Sequence, residues 1–449
     1  MSEEVLPLAM VASLFVLLLT GYPVAFTLGG VALIFGYVGL DFASFSLLPQ
    51  RIYGIMQNIT LLAVPLFIFM GVMLERSGLA EELLESMAML FGRVKGGLAF
   101  SVILAGALLA ASTGIVGASV VTMGLISLPV MLKRGYPAEF SSGVICASGT
   151  LGQIIPPSIV LVLLGDIIGQ SANAGEVSVG RLFIAASVPG LILVSLYLLY
   201  SFFYCRFKLG EESLTISQSR SELFAKLFKS LLPPAVLMIS VLGSIFFGVA
   251  SPTEAASVGA FGAIVISAVK KRFSISILRQ VMLKTTELTS MVFMILVGAT
   301  AFSLVFRLLS GDDIIVELVQ GMELGPNQFL LLVMVLLFIL GCFLDFIEIV
   351  FIVVPILMPL MQEYGFDPLW FAVLIAVNLQ MSFLTPPLGF ALFYLKGVAP
   401  EGVTTGQIYR GIIPFVIIQA VVLLSIFLFP EIVTFFPEWW DQNVVFSDR

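Results

Sequence analysis
The sequence predicts an all-α, polytopic membrane protein of two inverted repeats, each with about five transmembrane helices, a re-entrant helical hairpin and a discontinuous helix. Three observations predict it: the composition, charge-free windows too long for one span, and proline and glycine landmarks that recur 230 positions on. Of 449 residues, 59% are hydrophobic and only 11% charged, and mean hydropathy is +1.13. Soluble domains carry about 25% charged residues, so this chain cannot coat a water-facing surface. At about 20 apolar residues per span it can cross a bilayer some ten to twelve times.

The same inventory excludes other classes. Net charge is −7 with no Lys/Arg-rich block, which argues against a nucleic-acid partner. Cys146, Cys205 and Cys342 lie in apolar stretches without CxxC spacing, so they read as packing residues. The chain has no histidine, which removes the usual zinc and haem ligands, the Ser-His-Asp triad and histidine proton relays. The start, Met1-Ser2-Glu3-Glu4, lacks a basic region and cleavage site, so Val5 is expected to open a retained span.

Taken in order, the first window, 5–40, breaks at Gly21-Tyr22-Pro23 into spans 5–20 and 24–40, followed by 59–74. The window 96–132 would extend about 55 Å as one helix against a hydrocarbon core of about 30 Å, so it must fold back. Ala111-Ser112-Thr113-Gly114 is the predicted break. Windows 141–165 and 368–395 each enclose a Pro-Pro, Pro156-Pro157 and Pro386-Pro387. Proline inside a helix removes a hydrogen bond and clashes with the preceding turn, so both are predicted discontinuous. The remaining spans are 182–205, 231–250, 255–269, 288–309, a second fold-back at 326–362, and 412–430. Ser251-Pro252-Thr253-Glu254 is a capping box opening the 255–269 helix.

Pro129, Gly135, Pro156 and Pro157 recur without a gap as Pro359, Gly365, Pro386 and Pro387. The halves are therefore 1–205 and 231–430, joined by a linker at 206–230 and followed by a tail at 431–449. An odd number of crossings per half inverts the second copy. Arg76, Arg93, Lys95, Lys133 and Arg134 flank the first fold-back, which marks that side as cytoplasmic. Asp312, Asp313, Glu317, Glu323, Glu363 and Asp367 flank the second, which is expected to enter from outside. The linker carries Arg206, Lys208, Arg220, Lys226 and Lys229 and is read as cytoplasmic, with Leu223, Phe224, Leu227 and Phe228 forming an interfacial apolar face. Both termini then lie outside.

Inverted repeats with broken helices mark a secondary transporter. Unwound backbone is tolerated only where it lines a cavity, and its carbonyls with Ser and Thr hydroxyls make a hard oxygen cage suited to Na⁺. Two such clusters can be written: Ser112-Thr113-Gly114 with Ser148-Gly149-Thr150 and Pro156-Pro157-Ser158, and Asp345 and its neighbours with Asn378, Gln380, Ser382 and Thr385-Pro386-Pro387, ending at Gly389. The alternative for any one of these small residues is tight helix packing. Intramembrane ionisable residues are functional candidates by default. Asp345 heads these, with Glu348 three residues on. Three roles stay open for Arg307: binding a carboxylate substrate, pairing with an acid, or snorkelling.

Several motifs carry a family resemblance over essentially the whole chain. Ser251-Pro252-Thr253-Glu254-Ala255-Ala256, Ala147-Ser148-Gly149-Thr150-Leu151-Gly152, Ile155-Pro156-Pro157-Ser158 and Gly341-Cys342-Phe343-Leu344-Asp345 resemble stretches of the large membrane (M, DctM-like) subunit of tripartite ATP-independent periplasmic (TRAP) transporters. Gly117-Ala118-Ser119, Leu128-Pro129-Val130-Met131 and Lys133-Arg134-Gly135-Tyr136 also fit, while the tip at 113–118 departs from the serine-richer form of many members. The loop 166–178 is longer than in many relatives. The resemblance implies Na⁺-driven import of an organic acid across a bacterial or archaeal inner membrane, by an elevator in which a hairpin-bearing transport domain slides against a scaffold. Its implied partners are a small four-helix membrane subunit and a periplasmic substrate-binding protein. Carried over, Ser112, Thr113 and Gly114 with Gly149, Thr150, Pro156 and Ser158 form one Na⁺ site. Asp345, Thr385, Pro386 and Gly389 lie at the second, and Arg307, Asn378 and Gln380 near the substrate path.

Two further readings remain. A stand-alone Na⁺/dicarboxylate symporter of similar fold is separated by whether a small four-helix subunit co-purifies. A channel or an intramembrane enzyme belongs to another class, and the absence of histidine and of a nucleophile–base pair argues against an enzyme.

Overall fold
The computed structural model describes residues 5–40, 45–91, 95–171, 177–208 and 220–445. The side chains of 19, 80, 90, 110–113, 171, 220–227 and 445 lie outside the described set. So do 172–176 in the 166–178 loop, 209–219 of the 206–230 linker, and the side chains of Leu223, Phe224 and Leu227 on its expected apolar face.

The described residues form twenty α-helices. The first ten are α1 (Val5–Leu19), α2 (Val24–Gly39), α3 (Leu47–Met56), α4 (Ala63–Arg76), α5 (Leu79–Phe91), α6 (Gly97–Thr113), α7 (Val116–Lys133), α8 (Ala138–Thr150), α9 (Ile159–Ser171) and α10 (Val179–Lys208). The second ten are α11 (Arg220–Phe246), α12 (Pro252–Val269), α13 (Ile275–Leu308), α14 (Gly311–Gln320), α15 (Pro326–Gly341), α16 (Phe346–Glu363), α17 (Pro368–Phe383), α18 (Phe390–Val398), α19 (Thr405–Leu428) and α20 (Glu431–Trp440). Seven are long and apolar enough to cross a membrane, or eight when α3 and α4, bent by 55° at a short break, count as one span. The other expected crossings fall on shorter apolar helices such as α1, α2, α9 and α17.

Local sequence sets the helix starts. Ser251 Oγ accepts from the Glu254 amide at 3.3 Å while Glu254 accepts from the Ser251 amide at 2.8 Å, completing the expected capping box with Pro252 in the first turn. Thr404 with Gln407 repeats the device at α19, and Asp367 caps α17 by accepting from the Trp370 amide at 2.7 Å. Each cap satisfies amides that hydrocarbon could not.

The two runs of elements match in order: α1 with α11, α2 with α12, α3–α4 with α13, α5 with α14, hairpin α6–α7 with α15–α16, broken helix α8–α9 with α17–α18, and α10 with α19. Much of the packing between the halves is reciprocal under that exchange, although α5 on α11 has no matching pair of α14 on α1 among the main contacts. Helix α2 packs on α13 and α12 on α4; α8 on α19 and α17 on α10; α9 on α16 and α18 on α7. Helix α4 packs on α13, its own counterpart. Contacts that survive exchange of the partners are those of a two-fold arrangement.

The tightest of these interfaces uses small residues, as apolar helices in lipid require. A Cβ on Gly143 of α8 would stand 2.1 Å from the Gly411 carbonyl oxygen of α19, and one on Gly411 would stand 1.9 Å from the Glu139 carbonyl oxygen. The backbones touch, and no side chain fits between them. Beside this contact Gln419 donates to the Tyr197 hydroxyl at 2.8 Å, both residues being fully buried. Such an interhelical bond in a membrane protein contributes about 0.6 kcal/mol.

Candidate functional site
Two helix breaks face two hairpins, and a polar cavity lies to one side of them. At the first break, α8 ends at Thr150, a short 3-10 turn covers Leu151–Gln153, and α9 starts at Ile159. The hairpin α6–α7 turns at Gly114, whose φ of +60° suits glycine. A Cβ there would meet Ile159, with its amide nitrogen 3.4 Å away, so the hairpin tip sits on the start of α9. The Ser158 hydroxyl donates to the Gln153 carbonyl at 2.8 Å, and the Thr150 hydroxyl to the Ala147 carbonyl at 2.9 Å. Each hydroxyl spends its proton on backbone and keeps oxygen lone pairs for another partner.

At the second break, α17 ends at Phe383 and α18 starts after Gly389, whose φ is +50°. The Thr385 hydroxyl donates to the Met381 carbonyl at 2.9 Å, four residues back, where Thr150 reaches three. The hairpin α15–α16 breaks at Cys342–Asp345. Asp345 is the N-cap of α16: its carboxylate accepts from the Phe346 amide at 2.6 Å, and Glu348 accepts from the Asp345 amide at 3.2 Å. The Asp345 carboxylate thus faces the positive end of a helix. Asn378, fully buried on α17, donates to the Met334 carbonyl at 2.7 Å and so ties the broken helix to α15.

Each hairpin therefore spans the halves. Its first arm packs on the broken helix of its own half, α6 on α8 and α15 on α17, and its second arm on the tail of the other, α7 on α18 and α16 on α9. Tyr394 of α18 marks the crossing: it lies on Gly117 of α7, where a Cβ would stand 3.1 Å from its ring.

Both breaks hold fully buried polar atoms with no partner: both amide atoms of Gln153, both of Gln380, and Asn378 Oδ1. Such atoms cost about 1–3 kcal/mol each when unpaired, so the breaks have unused coordinating capacity. Three of these five atoms are amide oxygens, on Gln153, Asn378 and Gln380, able to accept a hydrogen bond or face a cation, and the other two are Nε2 groups that can only donate.

The cavity measures about 780 Å³ and lies between α3 and α13 on one side and α9 and α16 on the other. Arg51, Asn58, Asp166, Gln170, Ser303 and Arg307 give it polarity. Asn58, in the break between α3 and α4, donates to Asp166 at 2.8 Å, and Gln170 donates to the other carboxylate oxygen at 2.8 Å. Arg307 pairs through Nε with Asp312 at 3.3 Å.

Of the residues singled out in the sequence, the structure brings Gly114 to Ile159, the residue after Ser158, and sets Gly149 against Val120. Backbone at Ser112 and Thr113 ends α6, and their side chains lie outside the described set. Pro156-Pro157 and Pro386-Pro387 occupy the two breaks, both with cis peptides. Arg307 stands apart from Asp345, Asn378 and Gln380, none of which lines its cavity. Sequence reasoning missed Gln153, Asn58 and Asp166. Asp166 carried a usable signal, an acid inside the apolar run of α9.

A family profile described as "Tripartite ATP-independent periplasmic transporter, DctM component" matches residues 11–432. The chain is 33% identical over 397 residues to the C4-dicarboxylate TRAP transporter large permease protein DctM of Pseudomonas aeruginosa, covering 88% of this chain and 90% of that one. It is 30% identical to the sialic acid TRAP transporter large permease protein SiaM of Vibrio cholerae, covering 94% and 96%. Among solved structures, the Alcanivorax borkumensis YdaH transporter superposes with a TM-score of 0.61 at 16% identity, covering 85% of this chain and 87% of that one. That likeness speaks for the fold alone.

Proposed function
The chain belongs to the tripartite ATP-independent periplasmic transporter family as a DctM component, and on that premise we propose that it imports an organic acid anion in symport with Na⁺. The observation that carries this reading is the crossed docking of two hairpins on two broken helices beside a cavity that holds Arg307. Relatives are transporter permeases rather than enzymes. The two breaks supply the oxygens for Na⁺: Gly114, Gly149, Thr150, Pro156 and Ser158 with the C-terminal end of α6 at one, and Asp345, Thr385, Pro386 and Gly389 at the other. Arg307 receives the substrate's carboxylate, because guanidinium matches carboxylate geometry.

In this reading the halves are inserted with opposite orientation in the inner membrane and both termini lie outside. The hairpins and broken helices move as a transport domain against a scaffold that includes α2, α4, α12 and α13. A small four-helix subunit and a periplasmic binding protein complete the assembly, the binding protein delivering the anion. Co-reconstitution of the chain with these partners tests it: a Na⁺ gradient drives saturable accumulation of the anion that the binding protein holds. Uptake that ignores the Na⁺ gradient, or that runs on ATP alone, overturns the mechanism.

A further inference from the structure
We propose that Asp312 is a built-in counter-ion of Arg307 that an entering anion must displace, so that it sets substrate affinity. This rests on the reading of Arg307 as the carboxylate receptor. Arg307 ends α13 with its side chain 46% exposed, in the cavity wall, while the Asp312 side chain is 25% exposed. Their 3.3 Å contact uses Nε, so it occupies the side-on edge of the guanidinium, one of the two edges that can take a carboxylate bidentately.

The partner is delivered by a fixed turn. Ser310 adopts a left-handed φ of 58° and its amide donates to the Arg307 carbonyl at 2.9 Å. Gly311 lies on the Phe306 ring, where a Cβ would stand 2.5 Å from ring carbons. Asp312 is thereby presented in the first turn of α14, the helix that leads from α13 to the second hairpin. At its other end α14 is fastened to that hairpin, Gln320 donating to Glu363 of α16. An anion that takes Asp312's place on Arg307 releases the start of α14 from the cavity wall while its end stays with the hairpin.

The test uses the purified full-length chain in detergent. Arg307 is modified with phenylglyoxal and read by peptide mass spectrometry, with succinate and N-acetylneuraminate as protecting anions. Asp312→Asn lowers the half-protecting concentration of a protecting anion by roughly 1.5- to 5-fold, the range of an exposed ion pair. Asp312→Glu behaves as wild type, and so does Asp313→Asn, which removes a neighbouring charge but leaves the pair intact. An unchanged half-protecting concentration in Asp312→Asn, or an equal shift in Asp313→Asn, overturns the counter-ion role while leaving Arg307 as receptor. Failure of both anions to protect Arg307 in either protein overturns the receptor reading and the counter-ion with it.

Discussion

The two breaks share a frame and differ in their charge. Around the first, Gly114, Gly149, Thr150 and Ser158 offer only backbone and hydroxyl oxygens. Around the second, the hairpin tip carries Asp345 and Glu348, which cap α16 reciprocally. The position matching Asp345 in the first half, 230 residues earlier, is Ile115, N-cap of α7 with no side-chain bond. One architecture thus occurs twice, once with an uncharged hairpin tip and once with two carboxylates at the tip. The frame comes from the glycines and prolines, and the difference in charge from two positions within it, Ile115 against Asp345 and Ala118 against Glu348.

That comparison can be broken most sharply at the hairpin tips. Asp345→Ala lowers Na⁺-driven uptake in proteoliposomes by on the order of ten- to a hundred-fold, the worth of hydrogen bonds to a charged group, with expression and co-purification of partners intact. Ile115→Ala retains most activity. Uptake at wild-type level by Asp345→Ala would reduce the carboxylate to a helix cap. A smaller effect tests the shared frame. Gly114→Ala and Gly389→Ala each force a side chain into left-handed backbone at about 1–2 kcal/mol. Gly389→Ala loses more thermal stability, because its Cβ would stand 3.0 Å from the Thr385 carbonyl oxygen whereas that of Gly114 meets Cγ1 and Cδ1 of the Ile159 side chain at 3.1 and 3.3 Å. Smallest is the effect of the hydroxyls. Ser158→Ala and Thr385→Val each lose one bond to backbone, about 1 kcal/mol in thermal unfolding, but both weaken Na⁺ dependence of uptake.

Breaks proved the most legible part of the molecule. Gly114, the Cys342–Asp345 tip and the two Pro-Pro sites all lie where chain length against bilayer thickness and the chemistry of proline put them. Charged helix ends were harder. Helix α13 begins at Ile275 rather than near 288, because Lys284 and Glu287, an i,i+3 pair at 3.0 Å, extend it beyond the apolar run. The amphipathic helices α5 and α14 passed unseen for the same reason. The site's own omission is instructive. A search for charge-free windows ends a span at its first charge, so Asp166 closed the window at 165 instead of standing inside α9. Its partner Asn58, 108 positions away, is a tertiary fact that no local pattern carries. The unsatisfied amides of Gln153 and Gln380 are likewise visible only once packing shows what surrounds them.

The backbone contact between Gly143 and Gly411 has a consequence in time. These residues lie about 270 positions apart, so at 5–20 residues per second α8 emerges roughly 15 to 55 s before α19 exists to receive it. Throughout that interval the small-residue face of α8 stands without its mate, accessible to any helix that happens to pass. Biogenesis of this carrier therefore has a vulnerable period set by its gene order, and a chaperone or insertase that shelters α8 would act within it.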